Sequence, residues 1–256
     1  MPIFDELSAA QIVLLIGALG LGAFVQGAVG FAYGLISTPL LIWIGLPLPT
    51  AVAWVLTAVL TQTLTGCWRF RRSIVWRDLP GMMVGRMLGL PAGLVMMGWL
   101  TERGVDAVKQ GIGAVLLGVV LLIGLLRPEP RERVSRRWVA PVGLSSGALS
   151  GLTGMGGPPL VLWVVAHDWP TERSRVYLWA LFLQLMPIQL ALMVWKFGPT
   201  VAWAVLGGLM ATPLIVVAGD WGSRLGSRWS RQRLRTITLG VLMLMAVVSI
   251  AGPWLG

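Results

Sequence analysis

Two stretches of this chain decide its fold: VQGAVGFAYGLISTPLLIW, Val25 to Trp43, and SSGALSGLTGMGGPPLVLW, Ser145 to Trp163. A slide of 120 residues superimposes them with six of nineteen positions identical: Gly27/Gly147, Ala28/Ala148, Gly34/Gly154, Pro39/Pro159, Leu40/Leu160 and Trp43/Trp163. Composition bias produces glycine and leucine matches, but two prolines and two tryptophans in register point to an internal duplication, a common origin of membrane carriers. Both stretches are dense in glycine and proline, which loosen a helix and remove amide donors. Backbone of that kind is tolerated at membrane depth only where it is buried in protein or lines a cavity.

The membrane setting follows from composition. Of the 256 residues 56% are hydrophobic and only 12% charged, against roughly 25% charged in an ordinary soluble domain, and mean hydropathy is +0.81. A soluble globule is excluded. One cysteine, Cys67, and one histidine, His167, rule out a disulfide framework or a Cys-rich metal site within the chain and leave little room for zinc chemistry; no metal and no cofactor are expected. The net charge of +10 would suggest nucleic acid in a soluble protein, but here the bases read as topology signals, and no nucleic-acid partner is expected. The first ten residues carry Asp5 and Glu6 where a signal peptide carries bases, so the first span is read as retained.

Outward from the two stretches, apolar segments recur almost end to end. Eight reach spanning length, at about 11–29, 50–68, 79–99, 107–126, 138–154, 174–196, 200–221 and 236–254. Two, at 33–46 and 158–167, are too short to cross a core of about 30 Å at 1.5 Å per residue and read as halves of broken helices. The expected fold is therefore an all-α polytopic membrane protein of two inverted repeats, with eight long transmembrane helices and two short broken ones. Its parts are an N-terminal repeat (1–127), a charged cytoplasmic linker (128–137) and a C-terminal repeat (138–256). Sixteen of the twenty bases fall in four loops: Arg69 to Arg77, Arg127 to Arg137, Arg173 with Arg175, and Arg224 to Arg235. If all four are cytoplasmic, parity requires the short segments to count as crossings. Each half then has five, an odd number, so the second half is inverted and both termini are extracytoplasmic. Corresponding loops agree: Leu46 to Thr50 is uncharged where Asp168 to Arg175 carries arginines.

The candidate site is built from the two broken segments: Gly27, Gly30, Gly34, Ser37, Thr38 and Pro39 in one, Gly147, Gly151, Thr153, Gly154, Gly156, Gly157, Pro158 and Pro159 in the other. After each break a short helix begins, with Pro39 or Pro159 suited to its first turn, and its free amides and positive dipole end can face an anion. Close helix packing is the competing reading of the same glycines. Gln62 and Gln184 follow the breaks at nearly the same offset and would add neutral amide donors. Thr57, Thr61, Thr65 and Thr153 are further hydroxyl donors, unless they bond back to their own turns. Three residues are charge or coupling candidates. Arg86, inside an apolar span, either counters an anion or snorkels to the nearby cytoplasmic surface, and its position favours snorkelling. Asp220 either shuttles protons or pairs with Arg224, and His167 sits where a gate or a plain surface role is open. The tryptophans near span ends read as an interfacial belt. Enzyme readings fail: GLTGMGG lacks the Gly-Lys-Ser/Thr ending of a phosphate loop, and no Ser/His dyad, HExxH or carboxylate pair is present.

The stretch QGAVGFAYGLISTPLLIWIGLP, a following helix, then WRFRRSIVWRD, and GALSGLTGMGGPPLVLW in the second half together resemble the TauE/SafE family of sulfite and organosulfur anion exporters over essentially the whole chain. The first glycine run departs from the family's richer pattern, with Phe31, Ala32 and Tyr33 between Gly30 and Gly34. The resemblance implies a secondary carrier in a bacterial inner membrane for small sulfur-containing anions such as sulfite, sulfoacetate or related sulfonates. Alternating access around the two broken segments is the mechanism expected of such repeats. Its expected partners are that anion, the lipid bilayer and protons as a coupling ion, with a homo-oligomer left open. A channel-like anion uniporter and a membrane assembly factor that transports nothing are the alternatives.

Overall fold

The computed structural model describes residues 7–125, 131–132, 134–226, 228, 240 and 242–251. Asp5 and Glu6, the expected repeat boundary at 127/128, Arg127 and Arg133 of the linker, and Arg231, Arg233 and Arg235 lie outside the described residues.

Among the described residues the chain is helical, without a strand. In order, the helices are α1 (Ala9–Val29), α2 (Tyr33–Trp43), α3 (Leu48–Arg69), α4 (Pro80–Glu102), α5 (Val105–Leu125), α6 (Val139–Thr153), α7 (Gly157–Val165), α8 (Thr171–Phe197), α9 (Pro199–Met210), α10 (Thr212–Gly226) and α11 (Leu242–Ala251). Local chemistry sets several of the ends. Ser8 and Gln11 form a reciprocal capping box at the start of α1, and prolines stand in the first turns of α3, α4, α7 and α9, where a missing amide costs nothing.

Among the described residues five helices, α1, α3, α4, α5 and α8, are long and apolar enough to cross a membrane, or six if α9 and α10, bent by 57° at their junction, count as one span. The other expected long spans are shorter. The segment 138–154 yields only the 15 residues of α6, which stops at Gly154, and 236–254 is described only as α11. Large apolar side chains point outward, as in Val13, Leu88, Val95 and Leu244, while Ser37, Thr38, Arg86, Ser146 and Gln189 are buried. That is the pattern of a chain whose surrounding solvent is apolar. Trp68, Trp99, Trp195 and Trp221 are exposed near helix ends, as the belt requires, whereas Trp54 and Trp163 are core residues.

The short segments are not the second halves of straight broken helices. α2 doubles back along α1: the Ser37 hydroxyl donates to the Ala18 carbonyl at 2.8 Å, and the Gln11 amide donates to the Ile44 carbonyl at 2.9 Å, so numbering falls on one helix as it rises on the other. α7 returns along α6 in the same way, with Ser146 donating to Gly156 at 2.6 Å near the tip and Val139 lining the same cavity as Trp163 at the base. Each of the two aligned stretches thus forms the turn and return arm of a helical hairpin.

Two helix pairs dominate the packing, α4 against α6 and α1 against α10, and they match residue for residue. A Cβ at Gly89 would run into the Leu144 carbonyl, and one at Gly222 into the Phe24 carbonyl; Gly93 faces the Ala148 carbonyl, and Gly226 that of Ala28; Gly147 faces Arg86, and Gly27 faces Gly219. Phe24, Gly27 and Ala28 are the partners of Leu144, Gly147 and Ala148 under the 120-residue slide. Backbones approach this closely because lipid supplies no hydrophobic drive between helices, leaving small residues and van der Waals contact to hold them. The third helices of the halves, α3 and α8, run antiparallel: Gly66 abuts Trp179, Val59 shares a cavity with Met186, and Ser73, just past the end of α3, donates to Glu172 in the first turn of α8.

Candidate functional site

The tips of the two hairpins meet inside the protein. α1 ends at Gly30 with φ +92°, and α6 ends at Gly154 with φ +73°, left-handed conformations that suit glycine. Ala32, at φ +83°, holds the same conformation with a Cβ, at a cost of about 1 kcal/mol, so the first tip stores strain that surrounding contacts must hold. Between the tips the halves touch directly: a Cβ at Gly34 would stand 3.0 Å from the Gly154 carbonyl oxygen, and the Thr38 hydroxyl donates to the Thr153 carbonyl at 3.4 Å.

A small cavity of about 30 Å³ lies at this meeting point, with Gly34, Gly154, Gly156, Gly157 and Pro158 among the residues around it. It has room for one or two waters in this conformation. Gln26 and Ser150, which the sequence reading does not select as ligands, also line it. Gln26 is 2% exposed and its side-chain nitrogen has no hydrogen-bond partner among the described residues, an unusual cost for a buried amide. Ser150 donates to the Gln189 side-chain oxygen at 2.7 Å, and Gln189 returns a bond to the Ser150 carbonyl at 2.6 Å, which rigidifies that wall. The legible signal is a lone amide one turn before the first break and another, Gln189, inside an apolar helix; neither stands at one of the six identical positions of the two stretches.

Arg86 does not snorkel. It is 1% exposed, about 9 Å into α4 from Pro80 by helical rise. Its Nε donates to the Ser146 hydroxyl at 3.0 Å, its guanidinium donates to the Leu181 carbonyl, and its charge lies 5.5 Å from the centre of the Phe182 ring. Ser146 in turn donates to Gly156, and Phe182 and Gly156 both line the cavity. The surface was out of reach because α4 packs backbone to backbone on α6 at Gly85 and Gly143, which turns the Arg86 side chain inward between α6 and α8. No carboxylate pairs with it among the described residues. A buried cation held by neutral acceptors is expensive in a membrane interior and marks a functional position by default.

The remaining expected residues are placed elsewhere. Gly27 and Gly151 serve helix packing, against Gly219 and Leu90, and Gly30 is a cap beside Arg175. Ser37 is spent on the α1–α2 hairpin. Pro159 does lie in the first turn of α7, but Pro39 sits mid-way along α2, because the first chain breaks one helical turn earlier, at Gly30, than the aligned second chain does at Gly154. Gln62 donates to the Ala23 carbonyl at 3.2 Å, and neither it nor Gln184 lines the cavity. Thr57, Thr61, Thr65 and Thr153 all bond back to carbonyls of their own helices. Asp220 pairs with Arg224 at 2.7 Å on a partly exposed face. His167 Nδ1 donates to the Trp163 carbonyl, 2.7 Å away, and its ring lies between those of Trp163 and Trp169.

Residues 14–249 match the family model described as the sulfite exporter TauE/SafE. The chain is 26% identical over 231 residues to the "Probable sulfite/organosulfonate exporter TauE" of Cupriavidus necator, covering 88% of each chain. No solved structure matches it.

Proposed function

Because the chain belongs to the TauE/SafE sulfite exporter family, we propose that it is a secondary carrier that exports small sulfur-containing anions, sulfite, sulfoacetate or related organosulfonates, across a bacterial inner membrane by alternating access. The observation that carries this reading is the buried, carboxylate-free Arg86, wired through Ser146 to the cavity where the two hairpin tips meet. A guanidinium presents a planar fork of donors that suits oxyanions. An anion that reaches it neutralises a charge the fold otherwise carries at a cost. Gln26 supplies an amide, and the Gly157 N–H, at the positive end of α7 where Pro158 and Pro159 carry no N–H, supplies a further donor.

Two inverted repeats are part of this proposal, with both termini extracytoplasmic. The matched glycine contacts and the antiparallel packing of α3 against α8 support it, and so do the parallel pairs, α1 with α10 and α4 with α6. Under the positive-inside orientation those pairs run in opposite directions across the bilayer. Rocking the α1–α10 side against the α4–α6 side about the hairpin tips would open the cavity to alternate faces. Asp220 is already engaged by Arg224, so proton coupling is assigned to His167 or to titration of sulfite itself.

Uptake of labelled sulfite into proteoliposomes tests the proposal. Saturable uptake, displaced by unlabelled sulfoacetate and accelerated by an imposed pH gradient, is expected. Counterflow driven by internal sulfite separates a carrier from a channel. Uptake no greater than in empty vesicles would sink the carrier and its substrate class together.

A further inference from the structure

A second cavity, far larger than the first at about 980 Å³, opens at the end of the bundle where α4, α6 and α8 begin. It falls in the size range of small-molecule sites. One wall is aromatic: His167 and Trp169 have ring centres 4.3 Å apart, and Trp169 and Tyr177 are 5.1 Å apart. The rim is basic. Arg173 lies 4.4 Å from the Trp169 ring centre and is tied to Asp78 at 2.8 Å, while Arg77 and Arg136 on the same rim have no ion-pair partner among the described residues.

This vestibule is built rather than incidental. Glu132, Val134 and Arg136 form part of its wall, and Arg131 is pinned to the end of α7 by backbone bonds on both sides of His167: it donates to the Ala166 carbonyl at 3.0 Å and accepts from the Asp168 amide at 3.1 Å. Its floor leads to Arg86. Met82 and Tyr177 line the vestibule, and one turn deeper on the same two helices stand Arg86 and the Leu181 carbonyl that it binds. Arg86 therefore sits between the two cavities, and only the outer one has room for a carbon chain.

On the anion-carrier reading above, we propose that the vestibule is a second ligand site, where the organic tail of a short-chain sulfonate lies on the Trp169–Tyr177 wall while the rim arginines hold its head before it passes to Arg86. The aromatic wall gives a tail what the inner cavity cannot, an apolar surface, and the guanidinium groups pair with the sulfonate oxygens. An inorganic anion has no tail to place there. The two ligand types should therefore respond differently to the same substitution.

The test is calorimetric titration of the full chain in nanodiscs with butanesulfonate and, in parallel, with sulfite. Trp169→Ala is expected to weaken butanesulfonate roughly tenfold and to leave sulfite within about twofold, with Trp169→Phe restoring parental affinity. Arg136→Gln, at an exposed rim position, is expected to weaken butanesulfonate roughly fivefold and keeps the test alive if Trp169→Ala does not fold. No butanesulfonate binding by the parent, no effect of the substitutions, or equal loss of both ligands would overturn the site. Failure of the carrier reading has a different signature: sulfite does not enter vesicles, yet butanesulfonate still binds in a Trp169-dependent way.

Discussion

Replacing Arg86 with methionine separates function from stability more sharply than any other single change. On the stability side, the substitution gives up two hydrogen bonds from a charged group, to Ser146 and Leu181, worth about 1.5–3 kcal/mol each. It also removes a buried cation whose placement mid-span costs about 2.5–3.5 kcal/mol. The opposing sums leave Arg86→Met between about 0.5 kcal/mol more stable and about 3.5 kcal/mol less stable than the parent. Ser146 still donates to Gly156, so its hydroxyl is not left unpaired. On the functional side, an anion at about 4 Å from the guanidinium, in an effective dielectric of about 20, gains about 4 kcal/mol, roughly a thousandfold in affinity. Arg86→Met is thus expected to keep a monodisperse elution profile and a melting transition lowered by no more than roughly 7–14 °C, while the half-saturating sulfite concentration in proteoliposomes rises by roughly three orders of magnitude. Arg86→Lys keeps the charge but not the fork that reaches both partners, and should fall between the two. Near-normal sulfite uptake by Arg86→Met would refute the assignment of Arg86 as the anion's charge partner; collapse of the protein in detergent would refute the stability arithmetic.

Other outcomes follow from the same coordinates. Gly34→Val places a branched side chain against the Gly154 carbonyl, where a Cβ alone would already be 3.0 Å away, and is expected to abolish uptake while the protein still expresses; intact flux would remove the hairpin tips from the site. Gly89→Ala and Gly222→Ala meet equivalent carbonyls that cannot swing aside, so each should lower thermal stability, by about 1–3 kcal/mol and by similar amounts, whereas Gly118→Ala, with open space around it, should not. Unequal losses at Gly89 and Gly222 would count against the repeat symmetry. Gln26→Leu removes the free amide at the cavity and is expected to cut sulfite affinity roughly tenfold with stability unchanged or raised, read by parallel uptake and thermal unfolding. Asp220→Asn breaks a partly exposed ion pair worth about 0–1 kcal/mol and should leave the response to a pH gradient intact; loss of that response would return proton coupling to Asp220.

The class of this protein, its helical content and the likeness of its two glycine-rich stretches were legible in the chain, because hydropathy and Gly/Pro chemistry are local properties and the six identities stand in register in the sequence itself. Gly34, Thr38, Thr153, Gly154 and Gly156 could be read as neighbours across the halves from repeat logic alone. The direction of the short segments could not: whether a break bends a helix or reverses it depends on partners far along the chain, such as Ala18 for Ser37 and Gln11 for Ile44. The four-residue offset between the breaks at Gly30 and Gly154 was equally invisible, since either aligned glycine could cap its helix. Arg86 is the sharpest case. Its distance from the end of a span suggested the surface, but the close approach of α4 to α6 at Gly85 and Gly143 turned it inward to Ser146, and only packing in three dimensions decides which way a side chain on a buried helix can go.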